Sequence, residues 1–182
     1  IVQNEFAGEV AEKWSRIIKE HAPCEKGSVL DIGTGPGFFA ILVGQMGWKV
    51  TGIDCSGKMV ETASENAKKA GVSAEFYQMD NHQLDFPDES FDYIICRNVT
   101  WILYDPLRAL EEWKRVLKPG GTLFICNESN GNTDKDEKWT KIINGMTIYQ
   151  GTELKAYLEQ AGFHEVQIHK NKAGWLCVTA RK

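Results

Sequence analysis

Three glycines and a carboxylate lie close together in the segment Asp31-Ile-Gly-Thr-Gly-Pro-Gly37. An apolar run precedes the segment and an apolar stretch of helical length follows it, which predicts a strand, a tight turn and a helix. Glycines in such a turn let the backbone approach a ligand closely. The dinucleotide fingerprint G-x-G-x-x-G would need a third glycine at the position of Phe38. The carboxylate of Asp31 disfavours a pyrophosphate and favours a ligand with an ammonium or sulfonium charge.

Two further acids end the next two predicted strands. Asp54 closes the second strand, where an acidic side chain can accept hydrogen bonds from both ribose hydroxyls. Asp80 ends the third strand and could accept a hydrogen bond from an adenine amino group. Each acid also has an ordinary structural role as its alternative. Asp31 could form a turn, Asp54 could cap the helix that begins at Ser56, and Asp80 could be a solvated loop acid. Three acids at three successive strand ends suit a cationic nucleoside.

Strands and helices alternate along the chain and must position these residues. Hydrophobic periodicity and glycine or proline breaks predict strands at 28–32, 48–53, 74–78, 91–96, 122–126, 163–169 and 175–180, and helices at 6–22, 38–46, 56–70, 106–117 and 151–161. This order predicts a parallel sheet with helices on both faces, and the last two strands form a hairpin. Ligands of such folds sit beyond the carboxyl ends of the strands, so the chemistry is expected after residues 32, 54, 80 and 97.

Length, charge and cysteine content exclude several classes of protein. The chain has 182 residues and a net charge of -4, which suits one domain and argues against a general binder of nucleic acid or anionic membrane. No apolar run approaches the roughly 18 residues of a membrane span. Five cysteines without a CxxC pair favour free thiols in a reducing compartment over a disulfide framework or a zinc site. We therefore expect a cytoplasmic location and no metal.

The glycine segment and three later segments together resemble one protein family. Val29-Leu-Asp-Ile-Gly-Thr-Gly-Pro-Gly37 is similar to the first motif of the class I S-adenosylmethionine-dependent methyltransferases. The family's later motifs are matched, in order, by Val50-Thr-Gly-Ile-Asp54, by Met79-Asp80 with Phe86-Pro-Asp-Glu-Ser-Phe-Asp92, and by Arg115-Val-Leu-Lys-Pro-Gly-Gly121. The match spans roughly residues 28–127 and most resembles the small-molecule methyltransferases of the ubiquinone and menaquinone biosynthesis type.

This resemblance implies the fold and the organisation of the chain. The fold is α/β, with a Rossmann-like, seven-stranded, mostly parallel sheet, helices on both faces and one antiparallel strand in the C-terminal hairpin. Residues 1–182 are expected to form a single methyltransferase domain. It divides into an N-terminal helix (1–27), a cofactor-binding core (28–127), a short acceptor lid (128–150), and a C-terminal helix and hairpin (151–182).

The cofactor implied by the resemblance is S-adenosyl-L-methionine, with S-adenosyl-L-homocysteine as product. The residues placed against it are Asp31, Gly33, Thr34, Gly35, Gly37, Asp54, Cys55, Met59, Asp80, Asn81, Arg97 and Asn98. The glycine backbone takes the methionyl moiety with Asp31 near its amine, Asp54 holds the ribose, and Asp80 takes the adenine amino group. Met59 packs on the adenine, with a core role as the alternative that helical spacing allows. For Arg97 and Asn98 the alternative is an ordinary loop role.

The methyl acceptor is expected to be a small molecule. Asn98 is followed by Val99-Thr100, so the Pro-Pro-aromatic motif of amino-nucleobase methyltransferases is missing. Trp101 and Trp139 are candidates for the acceptor pocket, with structural packing as the alternative, and His82 is expected to be a solvated loop histidine rather than a base. No catalytic residue is assigned and the oligomeric state stays open. A nicotinamide-nucleotide-dependent oxidoreductase on a similar sheet and a non-catalytic S-adenosylmethionine-binding module are the alternative functions.

Overall fold

One mixed sheet organises the chain, of which the computed structural model describes residues 8–127, 151–170 and 176–182. Seven strands lie in the order β3-β2-β1-β4-β5-β7-β6. Their bounds are β1 Ser28–Ile32, β2 Lys49–Asp54, β3 Ala74–Gln78, β4 Phe91–Arg97, β5 Leu117–Asn127, β6 His164–Lys170 and β7 Leu176–Arg181. Strands β1 to β5 pair in parallel, and β7 runs antiparallel to both β5 and β6. The predicted seven-stranded α/β fold is confirmed.

Within the described ranges, five helices connect or flank these strands. They are α1 Glu9–His21, α2 Phe38–Gln45, α3 Gly57–Lys69, α4 Pro106–Val116 and α5 Gly151–Gln160, and a 3-10 turn covers Thr100–Ile102. Local sequence explains where two of them begin. Ser56 caps α3 by accepting a hydrogen bond from the backbone N–H of Met59, and Asp105 caps α4 in the same way ahead of a proline at the first helical position.

Strand β5 begins earlier than the sequence analysis expected. The helix-breaking Pro119 and glycines 120–121 suggested a strand from Thr122, yet β5 starts at Leu117, which pairs with Phe91. The register between β4 and β5 then shifts before Tyr93 meets Thr122. Proline and a positive-φ glycine are tolerated there because the irregular pairing does not require a continuous ladder.

Both faces of the sheet are buried, which explains the near-continuous apolar strands. On β1 and β4, Leu30 and Ile94 belong to the cluster that packs against α4 and α5. Their strand neighbours Val29 and Tyr93 belong to the opposite cluster, with Trp14 of α1 and the aromatic residues of α2. Alternate residues point to opposite faces of a strand, so a parallel strand covered by helices on both sides is apolar throughout. The carboxyl ends of the strands are left as the place for polar chemistry.

Two histidines form a contact between α1 and the C-terminal strands. From this contact we expect the stability of the fold to decrease at acidic pH. The rings of His21 and His169 lie 4.3 Å apart, and His169 Nε2 contacts Thr179 Oγ1 at 2.8 Å. Burial lowers the pKa of both rings, and His169 lowers that of His21 further, while Glu20 opposes the shift. Because the pKa of each histidine is lower in the folded chain, the unfolded chain binds protons more readily as the pH falls. The free energy of unfolding is therefore unaffected by these groups above about pH 6.5 and decreases below it.

We therefore expect the melting temperature of the unchanged chain to fall more between pH 7 and pH 5 than that of a variant carrying His21→Gln and His169→Gln. Thermal unfolding across this range measures the difference. The exposed His164 provides a matched control, and its replacement by Gln should leave the pH dependence unaltered. Parallel curves for the double variant and the unchanged chain would contradict the expectation.

Candidate functional site

The loops after β1 and β4 meet at the centre of the sheet, where the chain reverses its direction of strand addition. Strands β1 and β4 are neighbours, while β2 and β3 extend the sheet to one side and β5, β7 and β6 to the other. Ligands of open α/β sheets bind at such switch points. A cavity of about 200 Å³ lies here, and its walls include the predicted site residues Asp31, Gly33, Thr34, Gly35, Arg97 and Asn98.

Asp31 is buried in the wall of this cavity. One carboxylate oxygen, Oδ2, accepts hydrogen bonds from Thr34 Oγ1 at 2.7 Å and from the backbone N–H of Ala40 at 3.0 Å. Burial raises the pKa of Asp31 to about 7, although these two hydrogen bonds oppose the shift. The bonds to Thr34 and Ala40 match the alternative structural role of a turn residue. Neither of them uses Oδ1, so the same carboxylate can still face a cation.

A guanidinium shares the cavity with this carboxylate. Arg97 lies over an aromatic cluster, with its Cζ 4.8 Å from the ring centroid of Phe38 and 5.8 Å from that of Phe39. Its charge also draws the pKa of Asp31 downward, which is a minor effect beside burial. The cavity therefore offers both an anionic and a cationic group to a ligand.

Asp54 connects the glycine loop to the start of α3. Its Oδ2 accepts a hydrogen bond from the backbone N–H of Gly35 at 2.9 Å, and its Oδ1 accepts one from that of Ser56 at 2.9 Å. Gly35 belongs to the first cavity, whereas Cys55, the residue directly after Asp54, lines a second one. Asp54 itself lines neither cavity, but it is hydrogen-bonded to a residue of the first and adjacent in sequence to a residue of the second.

The second cavity has a volume of about 500 Å³ and lies at the ends of β2 and β3. Its lining includes the predicted residues Cys55, Asp80 and Asn81. Hydrogen bonds from the backbone N–H and then from the ring of His82 lower the pKa of Asp80, which keeps it ionised. Asn81 is 7% exposed, and its side-chain Oδ1 is buried and has no hydrogen-bond partner among the residues that the structure describes. An unsatisfied buried oxygen is costly, so this amide is suited to a ligand that supplies a donor.

Side chains of helix α4 donate hydrogen bonds to the backbone of the segment that follows β3 beside this cavity. The indole N–H of the fully buried Trp113 donates to the carbonyl of Asn81 at 2.9 Å. Arg115 donates to the carbonyls of Leu84 and Phe86, each at 2.8 Å. These bonds anchor the segment after β3, so the arginine of the 115–121 motif has a clear physical role at a distance from the cavity.

Several predicted site residues lie outside the two cavities. Gly37 caps α2 in the left-handed conformation, Met59 is 37% exposed on the first turn of α3, and Trp101 lies in the 3-10 turn, none of them lining either cavity. Trp139 and the lid 128–150 fall outside the described residues.

His82 was expected to be solvated, and that prediction was wrong. Its side chain is 3% exposed because it packs beneath the ring of Tyr104. Tyr104 itself was missed, since a tyrosine ahead of a predicted helix carries no sequence signal for a contact with the loop after β3. Among the described residues, no group of three or more His, Cys, Asp or Glu side chains could hold a metal ion, and no helix is long and apolar enough to cross a membrane.

The fold and the site define a Rossmann-like α/β protein of the nucleoside-binding class. A glycine turn at the switch point, an acid bonded to that turn, and a second acid beside a buried amide are groups that suit such a ligand. The buried carboxylate of Asp31 in the wall of the smaller cavity further fits a cofactor that brings a positive charge.

Comparison with known proteins identifies the family. Residues 30–125 match the family model described as a methyltransferase domain, and the chain belongs to this family. It is 35% identical over 122 residues to a phosphatidylethanolamine N-methyltransferase of Cereibacter sphaeroides, covering 66% of this chain and 60% of that protein. It is also 35% identical over 117 residues to a ubiquinone biosynthesis O-methyltransferase of Agrobacterium fabrum, covering 64% and 47%. The chain thus spans about half to three fifths of the length of these relatives.

A solved structure extends the likeness over nearly the whole chain. The S-adenosylmethionine-dependent methyltransferase from Aquifex aeolicus superposes with a TM-score of 0.77 at 30% identity, covering 93% of this chain and 88% of that one. The described part of this chain is therefore an S-adenosylmethionine-dependent methyltransferase domain of class I, as the sequence motifs implied.

Proposed function

We propose that the chain transfers the sulfonium methyl group of S-adenosylmethionine to a small-molecule acceptor. The observation that carries the proposal is the link that Asp54 makes between the two cavities: it accepts a hydrogen bond from Gly35 of the smaller one and directly precedes Cys55 of the larger one. The smaller cavity, with Asp31 and Arg97, suits the amino and carboxylate groups of the methionyl end. The larger cavity, with Asp80 and Asn81, suits adenine, and the ribose between them falls to Asp54. Gly33, Thr34, Gly35, Cys55 and Asn98 complete this assignment, and Met59 lies outside the two cavities.

The chain's own contribution to catalysis is binding, orientation and the exclusion of water. S-adenosylmethionine supplies an already activated methyl group, so the protein need not provide a strong acid or base. The glycine loop and the loop after β4 fix the methionyl end, and in-line placement of an acceptor then lowers the barrier by removing translational and rotational freedom. We propose that Trp101, and Trp139 within the lid 128–150, contact that acceptor.

The nature of the acceptor rests on charge and on missing motifs. The net charge of -4 and the sequence Asn98-Val-Thr100 support a small molecule over a nucleic acid. The named relatives methylate at nitrogen in one case and at oxygen in the other. Their names therefore do not select the accepting atom here.

The location and organisation of the protein follow as further parts of the proposal. Five cysteines without a CxxC pair support a reducing cytoplasm. We also propose that residues 1–182 act as one domain, with the cofactor held by 28–127.

Isothermal titration calorimetry with S-adenosylhomocysteine tests the proposal, and Asp54→Ala is expected to bind it about 10- to 100-fold more weakly because hydrogen bonds to a charged group are lost. The exposed Asp85 of the loop after β3 makes no side-chain hydrogen bond among the described residues, and Asp85→Ala is the matched control with unchanged affinity. Equal affinities of the Asp54→Ala variant and the unchanged chain would remove Asp54 from the site.

Turnover then separates the three functions. A screen of small-molecule acceptors that measures release of S-adenosylhomocysteine from S-adenosylmethionine should find a substrate. Binding of NADH in preference to S-adenosylhomocysteine would favour the oxidoreductase. Binding of S-adenosylmethionine without turnover on any acceptor would favour the non-catalytic module.

A further inference from the structure

The two carboxylate oxygens of Asp80 have very different partners. Oδ1 accepts hydrogen bonds from both the backbone N–H and the ring Nδ1 of His82, each at 2.8 Å. Among the described residues, Oδ2 contacts only the phenol oxygen of Tyr104, at 3.3 Å. The Asp80 side chain is 55% exposed. One oxygen is therefore fixed by the protein and the other is available for exchange.

His82 is a positioning residue for this carboxylate. Its Nε2 lies 3.4 Å from the backbone N–H of Asp105, and a backbone amide can only donate. Nε2 therefore carries the lone pair. Nδ1 carries the proton and donates the hydrogen bond to Asp80 Oδ1. The buried ring thus holds Oδ1 in place and leaves Oδ2 turned toward other donors.

Tyr104 is held at Oδ2 by weak contacts. Its ring stacks on His82 with centroids 3.7 Å apart at an interplanar angle of 23°, yet the residue is 71% exposed. The 3.3 Å separation between its phenol and Asp80 is longer than the usual 2.5–3.0 Å of an O–H···O hydrogen bond. Because one long hydrogen bond and one stacked face hold it, Tyr104 can leave this position at small cost.

We propose that the Tyr104 hydroxyl competes with the 6-amino group of the cofactor's adenine for Asp80 Oδ2, so that cofactor binding exchanges one donor for the other. The inference rests on the proposed function, which places adenine in the cavity that Tyr104 lines with Asp80 and Asn81. Tyr104 is then a determinant of cofactor affinity and of the choice of nucleobase. A base with an amino group at position 6 replaces the hydrogen bond that the phenol made to Asp80 Oδ2. A base with a carbonyl at that position does not replace it.

Tyr104→Phe tests the competition, because it keeps the ring on His82 and removes only the competing donor. Titration calorimetry should show S-adenosylhomocysteine binding about twofold to threefold more tightly to this variant than to the unchanged chain, the low end of the range for one hydrogen bond, because the bond removed is long. S-inosylhomocysteine, which carries a 6-oxo group, should gain nothing from the substitution. Tyr77 is also exposed but lies outside the cavity, and Tyr77→Phe is the matched control with unchanged affinity.

A double-mutant cycle with Asp80→Ala locates the effect. Without the carboxylate there is nothing to compete for, so Tyr104→Phe should no longer tighten binding in that background. An equal or weaker affinity of the single Tyr104→Phe variant would overturn the competition, as would a gain that persists without Asp80 or that appears with the inosyl compound. If the unchanged chain fails to bind S-adenosylhomocysteine at all, the proposed function fails. Binding without tightening contradicts only the role of Tyr104.

Discussion

Replacing Asp31 by Asn is expected to stabilise the cofactor-free chain and to weaken its affinity for S-adenosylhomocysteine. Burial raises the pKa of Asp31 to about 7 from an ordinary value of 3.8. That difference corresponds to roughly 4 kcal/mol at most against the folded state near pH 8. Asn can still accept the hydrogen bonds from Thr34 and Ala40, so the variant loses the buried charge without losing the loop contacts. We expect its melting temperature to rise by roughly 5–10 °C.

The pH dependence of this gain follows from the sign of the shift. Between pH 3.8 and about 7 the folded chain binds more protons at Asp31 than the unfolded chain does, so its stability falls as the pH rises through that window. The advantage of Asp31→Asn should therefore be small near pH 4, grow up to about pH 7, and then level off. Thermal unfolding of both chains at matched pH values measures it.

The loss of affinity has a pH signature of its own. A bound ammonium group favours the ionised carboxylate, so the affinity of the unchanged chain for S-adenosylhomocysteine should rise from pH 5 to pH 7, and Asp31→Asn should abolish that rise. At pH 7.5 we expect the variant to bind roughly tenfold or more weakly, as for the loss of a charge-assisted hydrogen bond. Affinity equal to that of the unchanged chain would confine Asp31 to its contacts with Thr34 and Ala40.

Asp92 provides a control in which the effect on stability has the opposite sign. Burial raises its pKa, but the Ser28 N–H and Lys118 outweigh this and hold the pKa below its usual range. Asp92 Oδ2 accepts from the backbone N–H of Ser28, and Lys118 Nζ lies 2.9 Å from Oδ1. Asp92→Asn should therefore destabilise the chain and leave the affinity for S-adenosylhomocysteine unchanged.

The strand ends were predictable because they depend on local patterns. Apolar runs in β1 and β2 and the breaks that follow them put Asp31 at the glycine turn and Asp54 at the end of β2. Parallel pairing then brings the carboxyl ends of these strands to one edge of the sheet, without any knowledge of side-chain packing. The general position of the candidate site followed from the sequence for this reason.

The contacts around the acids that involve residues distant in the sequence were not predictable. Asp80 is held by His82 and approached by Tyr104, 24 residues away. The backbone beside it is held by Trp113, whose hydrogen bond to Asn81 spans 32 residues. A histidine in a polar loop is expected to be solvated, and His82 is buried here by the stacked ring of Tyr104, a residue distant in the sequence.

Gly33→Ala should destabilise the fold and abolish high-affinity binding of S-adenosylhomocysteine. Gly33 has a φ of +65°, and a Cβ at this position would lie 2.4 Å from Cγ2 of Val99. Val99 is 2% exposed in the loop after β4, so it has little room to move. The left-handed conformation costs about 1–2 kcal/mol for a residue with a Cβ. The steric conflict adds a further loss of roughly 1–3 kcal/mol, as for overpacking of a core.

Gly71 separates the two costs, because it has a φ of +69° with open space around the position of a Cβ. Gly71→Ala should therefore lower stability only by the conformational cost and leave binding unchanged. In the Gly33→Ala background, Val99→Ala should recover part of the stability by removing the clashing methyl group. Chemical denaturation of the unchanged chain, the two single glycine variants and the double variant measures the free energies of unfolding. Equal stabilities of the Gly33→Ala and Gly71→Ala variants would contradict the contact with Val99. Recovery of binding in the double variant would indicate that spacing between the loops after β1 and β4 controls access of the methionyl end.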